Sequence, residues 1–411
     1  MSRLDAIERA LCDGLRRRAE RMYDEIADAV AIPTGGAFRP GLDEFRGLLC
    51  DRLTKLGASV SMHLGDERPA WLALPHERDA TAQGDAYVPP VAIAARLRPG
   101  TPRVLIAGHI DTVHDPNGAF RTLTRESDRI ARGPGAVDMK GGIILAMNAL
   151  EALDEAGVGL GFSVLLNSDE ETGSFHSARA IEEAGRAHDI GIALEPAGEG
   201  GALVVERMGS GHFRIDCTGR TAHVGRDFTK GVSAVVALAK AILETSAASD
   251  PAAGRIVNVG PLEGGLVSNA VPASASAWGN VRFADPAAMN ELARRFAALN
   301  TPDGALPGVR VLTAFARPAK PLTPQVERFA LAVRDVAESL GQTLPFGKTG
   351  GVCDGNILQS VGLPTLDTLG IRGGNLHRTD EFIEIPSIVE RAQLLAVVLK
   401  RIAEGRITLR S

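Results

Sequence analysis

Three short apolar runs in this chain each end in a carboxylate or a histidine: VLIAGHID (104–111), GFSVLLNSDEE (161–171) and IGIALEP (190–196). Runs of this length and apolarity read as strands buried on both faces. Between them lie GGIILAMNALEALDEAG (141–157) and SARAIEEAG (177–185), which carry helical periodicity. Strand, helix, strand, with polar residues gathered just past each strand, predicts an α/β fold: a sheet flanked by helices, with its site beyond the strand ends.

The flanking segments extend this pattern. Residues 1–30 predict one amphipathic helix stopped by Pro33 and Gly35–Gly36, and 42–56 a second. The stretch 66–90 reads as a loop or hairpin excursion without an assigned role. Near residue 205 the rhythm changes to strand (204–219), helix (232–245), strand (256–266), strand (273–283), helix (286–298) and strand (309–316). That βαββαβ order predicts an inserted ferredoxin-like α+β domain. The expected division is 1–206, 207–315 and 316–411, the outer two parts forming one domain. Pro318 and Pro321 mark the return, TGGVCDGN opens a further helix, LPTLDTLG forms a strand, and a last helix covers 386–403.

Composition removes several function classes. With 45% hydrophobic and 23% charged residues the chain is an ordinary globular protein, and a net charge of -5 argues against nucleic acid as a partner. The basic run LRRR (15–18) belongs to a solvated helix face. Cys12, Cys50, Cys217 and Cys353 form no CxxC pair, which favours a reducing compartment. The charged N-terminus has no signal-peptide core, and no apolar stretch reaches the roughly 20 residues that span a bilayer. The expectation is a cytoplasmic protein without a membrane partner.

Candidate chemistry lies in five motifs: His109 in GHIDTV, Asp138 in GAVDMKGG, Glu170–Glu171 in NSDEETGS, Glu195 in ALEPAG and His377 in NLHRTDE. Imidazole and carboxylate without thiolate suits zinc or another first-row divalent ion. Adjacent acids after a buried strand repel each other unless a cation lies nearby, so Glu170–Glu171 is the strongest local signal. Asp111, two residues from His109, is placed to orient a ligand. Each motif alone has a plainer reading: a strand-end turn for His109, a helix N-cap for Asp138, surface loop residues for Glu195 and His377. Together they predict loops converging on one metal centre.

The ordered motifs GHIDTV, GPGAVDMKGG, NSDEETGS, LEP, TGRTAHVG, SNAVP, TGGVCDGN and NLHRTDEF resemble the di-zinc family of aminoacylase, acetylornithine deacetylase, succinyl-diaminopimelate desuccinylase and glutamate carboxypeptidase, the last branch above all. The likeness covers about residues 100–395. It implies a zinc-peptidase-like mixed sheet and an inserted domain that serves as lid and dimer interface. It also implies two Zn²⁺ per chain, with Co²⁺ or Mn²⁺ as substitutes. By the same resemblance His109, Asp138 and Glu195 hold one ion, while Asp138, Glu171 and His377 hold the other. Glu170 becomes the general acid/base, Asp111 the carboxylate behind the ligands, and the Asp138–Met139 bond a position often cis. His223 is implied to polarise the scissile carbonyl in a neighbouring subunit's site. Asn269 and Arg282 fall on substrate-contacting positions of the lid, and Arg317 on one facing a substrate carboxylate; apart from the resemblance, Gly350–Gly351 lets backbone N–H groups, Gly351's included, come close to a ligand.

The expected reaction is hydrolysis of an amide bond beside a free carboxylate, in a small peptide or N-acyl amino acid. The alternatives are an N-acyl-amino-acid deacylase, a non-catalytic binding protein on the same fold, and a thiol hydrolase using Cys353. The last lacks a histidine nearby in sequence.

Overall fold

The computed structural model describes residues 4–75 and 88–409. Helices α1 (Ala6–Arg17), α2 (Ala19–Ala31) and α3 (Arg39–Lys55) lead into β1 (Ser59–His63), β2 (Val91–Arg96) and β3 (Val104–His109). Two short strands, β4 (Thr124–Arg125) and β5 (Ile130–Arg132), precede α4 (Gly141–Glu155), β6 (Phe162–Asn167), α5 (Ala178–Ala187), β7 (Ile190–Ala193) and β8 (Leu203–Arg207). The chain then forms β9 (Gly209–Thr218), α6 (Ala234–Ser246), β10 (Arg255–Gly264), β11 (Ser274–Phe283), α7 (Pro286–Ala297) and β12 (Gly308–Arg317). It closes with α8 (Pro324–Ser339), β13 (Phe346–Thr349), α9 (Asp354–Ser360), β14 (Thr365–Leu366), β15 (Gly373–Gly374), β16 (Phe382–Glu384) and α10 (Ile385–Ala403).

The main sheet is mixed, in the order β1-β2-β6-β3-β7-β14. Strands β6, β3, β7 and β14 are parallel, while β2 runs antiparallel to its neighbours β6 and β1. The alternation of β3 shows why both faces need helices. Val104 and Ile106 join the core formed with α1, α2, α4 and α10, whereas Leu105 and Ala107 join the one under α5 and α9. The parallel strands share a direction, so His109, Asn167 and Ala193, their last residues, open toward one edge.

A second sheet, antiparallel in the order β10-β11-β9-β12, carries α6 and α7 and has its own apolar core around Phe213, Phe283 and Phe296. The strand expected over 204–219 is two strands. Residues 203–207 pair in parallel with β13, and after Met208 the chain enters the second sheet as β9. The exit lies beside the entry: Arg207 N–H donates to Lys320 O at 2.9 Å and Lys320 N–H to Arg207 O at 3.0 Å.

The single helix expected over 1–30 is also two, because Arg18 leaves helical geometry at the α1–α2 junction. Of the 66–90 excursion, 76–87 lie outside the described residues. Its first part forms a short 3-10 turn, Ala70–Leu72, and the Trp278 indole N–H of β11 donates to Trp71 O at 3.2 Å. Among the described residues no helix is long and apolar enough to cross a membrane.

Candidate metal centre

His109 ends β3 fully buried. Its Nδ1 lies 3.0 Å from the backbone oxygen of Asp111, an acceptor, so Nδ1 donates there and Nε2 is the nitrogen that would face a metal. That Nε2 faces Asp138 Oδ1 at 3.2 Å and Glu195 Oε1 at 4.0 Å. On the other side of Asp138, Oδ2 lies 3.4 Å from His377 Nε2, which is 3.2 Å from Glu171 Oε2. Two trios of ligand atoms therefore share one carboxylate. One ligand atom each of His109, Asp138 and Glu171 also lie within 4.8 Å of one another.

Local sequence explains how each group arrives. Asp138 sits in a turn between Gly135 and α4. Gly135 has φ 65°, and a Cβ there would meet Thr112 Cγ2 at 2.4 Å. The N-cap reading of Asp138 fails, because α4 begins at Gly141 and the carboxylate points to the two histidines. The Asp138–Met139 bond is cis. Glu170 and Glu171 follow β6, and their amides both donate to the Asp111 carboxylate, at 3.3 and 2.9 Å. Asp111 thus orients the His109 ring and the acidic turn together. His377 has φ 64°, a left-handed conformation costing about 1–2 kcal/mol. Its loop is tied by Asn375 Nδ2 donating to Asp380 Oδ2 at 2.9 Å.

The electrostatics call for a cation. Asp138, Glu170 and Glu195 are buried and Glu171 is half-buried. Burial pushes Glu195 well above the usual carboxylate range, with the charges of Asp138 and Glu170 adding to it. Glu171 is raised by burial and by Asp138, against the pull of His377. Burial also opposes ionisation of Asp138, but the two imidazoles outweigh it and hold its carboxyl low. His377 is pushed up to about 10 by its hydrogen bonds to Asp138 and Glu171. Ligands at about 2.0–2.1 Å from a tetrahedral zinc lie about 3.3 Å apart, close to the spacings here. The donor set, its charge and its spacing fit one or two divalent ions.

Glu170 lies beside this cluster. Burial raises its pKa to about 7, against the opposing charge of Arg317. Arg317 Nη1 donates to Glu170 Oε1 at 2.5 Å, and Nη2 donates to Glu170 O at 2.8 Å and Ser174 Oγ at 2.6 Å. Arg317 was expected to face a substrate carboxylate; in the structure its guanidinium is buried against Glu170 instead.

A cleft of about 890 Å³ opens over the cluster, lined on one side by Asp138, Glu170, Glu171, Glu195 and His377. The opposite wall comes from the second sheet and includes Ser210, His212, Asn280 and Arg282. Arg282 is half-buried and donates to Ser210 Oγ, and no carboxylate pairs with it among the described residues. Burial and the nearby Arg317 charge lower its pKa. Gly351 lines the cleft, but its N–H already donates to Thr349 Oγ1 at 3.1 Å.

Two expected residues are not brought to this cleft. His223 and Asn269 are exposed on the second sheet's connections, neighbours of each other through Val224 N–H donating to Asn269 O at 3.1 Å. Neither lines the cleft of its own chain. Cys353 is fully buried and its thiol is pushed well up by burial, which removes it as a nucleophile.

Sequence reasoning missed His212, Asn280 and Glu381. His212 is an interior residue of β9 with no motif around it. Asn280 stands two residues before Arg282. Glu381 lies within NLHRTDEF, four residues after His377, where an acid reads as an ordinary loop residue.

Comparison with known proteins agrees with this geometry. The profile of Peptidase family M20/M25/M40 matches residues 105–401. Carboxypeptidase G2 of a Pseudomonas species is 29% identical over 317 residues, 75% of this chain and 75% of that protein. Succinyl-diaminopimelate desuccinylase of Methylorubrum populi is 27% identical over 386 residues, 86% and 92% of the two chains. A tripeptidase structure from Staphylococcus aureus has a TM-score of 0.72 at 20% identity, covering 94% of this chain and 99% of that one. An M20 family metallo-carboxypeptidase from Sulfolobus solfataricus has a TM-score of 0.68 at 18% identity, covering 93% and 99%. At those identities the two structures establish likeness of fold.

Proposed function

The chain belongs to peptidase family M20/M25/M40 and is a hydrolase of amide bonds, and on that premise we propose a dinuclear zinc enzyme that cleaves a small peptide or N-acyl amino acid beside a free carboxylate. The observation that carries this reading is Asp138, whose two oxygens face His109 and His377 on opposite sides. His109, Asp138 and Glu195 would hold one ion, and Asp138, Glu171 and His377 the other. Bound there, zinc would lower the pKa of water and polarise the scissile carbonyl.

The remaining roles belong to side chains. Glu170 takes the proton from the attacking water and returns it to the leaving amine. Arg317 holds Glu170 Oε1 and leaves Oε2 for that exchange. Arg282, a cation in the cleft wall without a carboxylate partner among the described residues, anchors the substrate carboxylate. Asp111 keeps His109 and the acidic turn in register.

The second sheet, within the 207–315 division, serves in this reading as lid and dimer interface. Its edge strand β10 and outer helix face expose Ile256, Leu262, Val236 and Leu243 to solvent in the single chain. His223 and Asn269 act on substrate only when a second copy presents them to this cleft.

Glutamate carboxypeptidase-like hydrolysis is the favoured branch, in line with the carboxypeptidase G2 match. The match to a desuccinylase over 92% of its length supports N-acyl-amino-acid deacylation as the second reading. A panel of N-acyl glutamates, peptides ending in glutamate and N-succinyl diamino acids separates the two. Chelator-sensitive turnover restored by Zn²⁺ or Co²⁺ is expected for at least one class. A metal-loaded, folded protein that hydrolyses none of them would contradict the substrate reading.

A further inference from the structure

Glu381 is only 1% exposed, yet it is not a ligand in either trio. Its Oε1 accepts from the amides of Val137 at 2.9 Å and Asp138 at 3.2 Å. Its Oε2 accepts from the amide of Gly135 at 3.1 Å and lies 2.6 Å from His114 Nε2. Three of its four partners are therefore backbone N–H groups of the single turn that presents Asp138. A buried carboxylate filling a ring of amides fixes the turn by geometry, because removing it would leave those donors facing each other without an acceptor.

The same carboxylate is tied to the second histidine of the centre. Glu381 lies four residues after His377, its N–H donating to Arg378 O at 3.1 Å, and its carbonyl accepts from Gly133 N–H at 3.2 Å. One short segment thus supplies His377 and grips the turn of Asp138. Through His114 it also reaches the loop that follows Asp111.

We propose that Glu381 is a positioning residue that sets Asp138 between His109 and His377, so that its charge and length determine how tightly the centre holds metal. The inference rests on the metal-centre reading above. It extends that reading to a residue that touches neither metal nor substrate.

Glu381→Gln is the direct test, because the side-chain NH₂ places a donor against donor amides while volume is kept. Zn²⁺ affinity is measured by chelator competition on wild type and E381Q, with the Co²⁺ absorption spectrum and the melting temperature of the metal-free proteins. The expected result is metal affinity about 10–100-fold weaker with an altered Co²⁺ spectrum. Unchanged affinity and spectrum in E381Q would overturn the inference while leaving the metal centre intact. A loss of melting temperature with no change in either metal readout would also overturn it, since that is the mark of a purely structural residue. Should E381Q fold poorly, His114→Ala removes only the outer partner: a several-fold weakening supports the inference and unchanged affinity overturns it. No metal uptake by wild type would overturn the metal-centre reading and this inference together.

Discussion

Asp138 shows how much chemistry one side chain can organise. Both its oxygens face imidazoles, its amide is held by Glu381, and its turn depends on Gly135 adopting φ 65°. The histidines and acids around it were legible in the sequence because each follows a strand end or stands in a glycine-rich turn. Arg317 was legible as important but not in its role. Its partner Glu170 lies 147 residues away, and sequence does not reveal that such a guanidinium is buried against an acid rather than offered to a ligand. Glu170 also gives the prediction that belongs to this scale. Glu170→Gln preserves shape and leaves His109, Asp138, Glu171, Glu195 and His377 in place. It should therefore retain bound metal while turnover falls about 10²–10⁴-fold. Metal analysis beside steady-state kinetics checks this; near-normal turnover would remove Glu170 as the proton carrier.

Among the elements, the strands and helices of the main sheet were readable from periodicity, whereas the 203–218 segment was not. A strand that changes sheets at Met208 has the same apolar pattern as a continuous one, and only its distant partners, β13 on one side and β11 and β12 on the other, divide it. The start of α1 illustrates an effect that local sequence does disclose. Asp5 and Glu8 form a capping box, with Asp5 Oδ1 accepting from Glu8 N–H at 2.8 Å and Glu8 Oε2 from Asp5 N–H at 2.9 Å. What it does not disclose is Lys400 of α10, whose Nζ donates to Asp5 Oδ2 at 2.8 Å. Burial pushes the Asp5 carboxyl up, but the hydrogen bonds from Lys400 and the Glu8 amide prevail and bring its pKa to about 2. A carboxyl lowered by folding contributes stability above its unfolded pKa of about 4, and that contribution is lost as pH falls toward its folded value. Asp5→Asn keeps the cap and removes the charge. Its melting temperature should lie below the parent's at neutral pH, and the gap should close between about pH 4 and pH 2. Melting curves across that interval decide it, and a constant gap would rule out the Lys400 pairing as its source.

For the molecule as a whole, the cleft lies between two sheets joined by adjacent crossings at Arg207 and Lys320. The strand–helix order of both sheets could be read in the sequence, but the meeting of their faces over one cleft could not. Neither could the placement of His223 and Asn269 outside the cleft of their own chain. In the proposed dimer, a second copy would bring those residues to a neighbouring cleft. Leu243 and Val236 lie exposed seven residues apart on α6, so both fall on its outer face. A Val236→Glu, Leu243→Glu double variant should elute as a monomer with most of its activity gone and its metal retained. Light scattering after size exclusion checks this, and an unchanged dimer would move the interface elsewhere.

The central claim of the proposed function is that two metal ions share Asp138. Zinc titrated into chelator-stripped protein tests it most directly, followed by calorimetry on wild type, His377→Ala and Asp138→Ala. The account predicts two zinc equivalents for wild type, one tight equivalent retained by His377→Ala, and both lost by Asp138→Ala. A folded wild-type chain that takes up no zinc, or an Asp138→Ala variant that still binds two ions tightly, would contradict it.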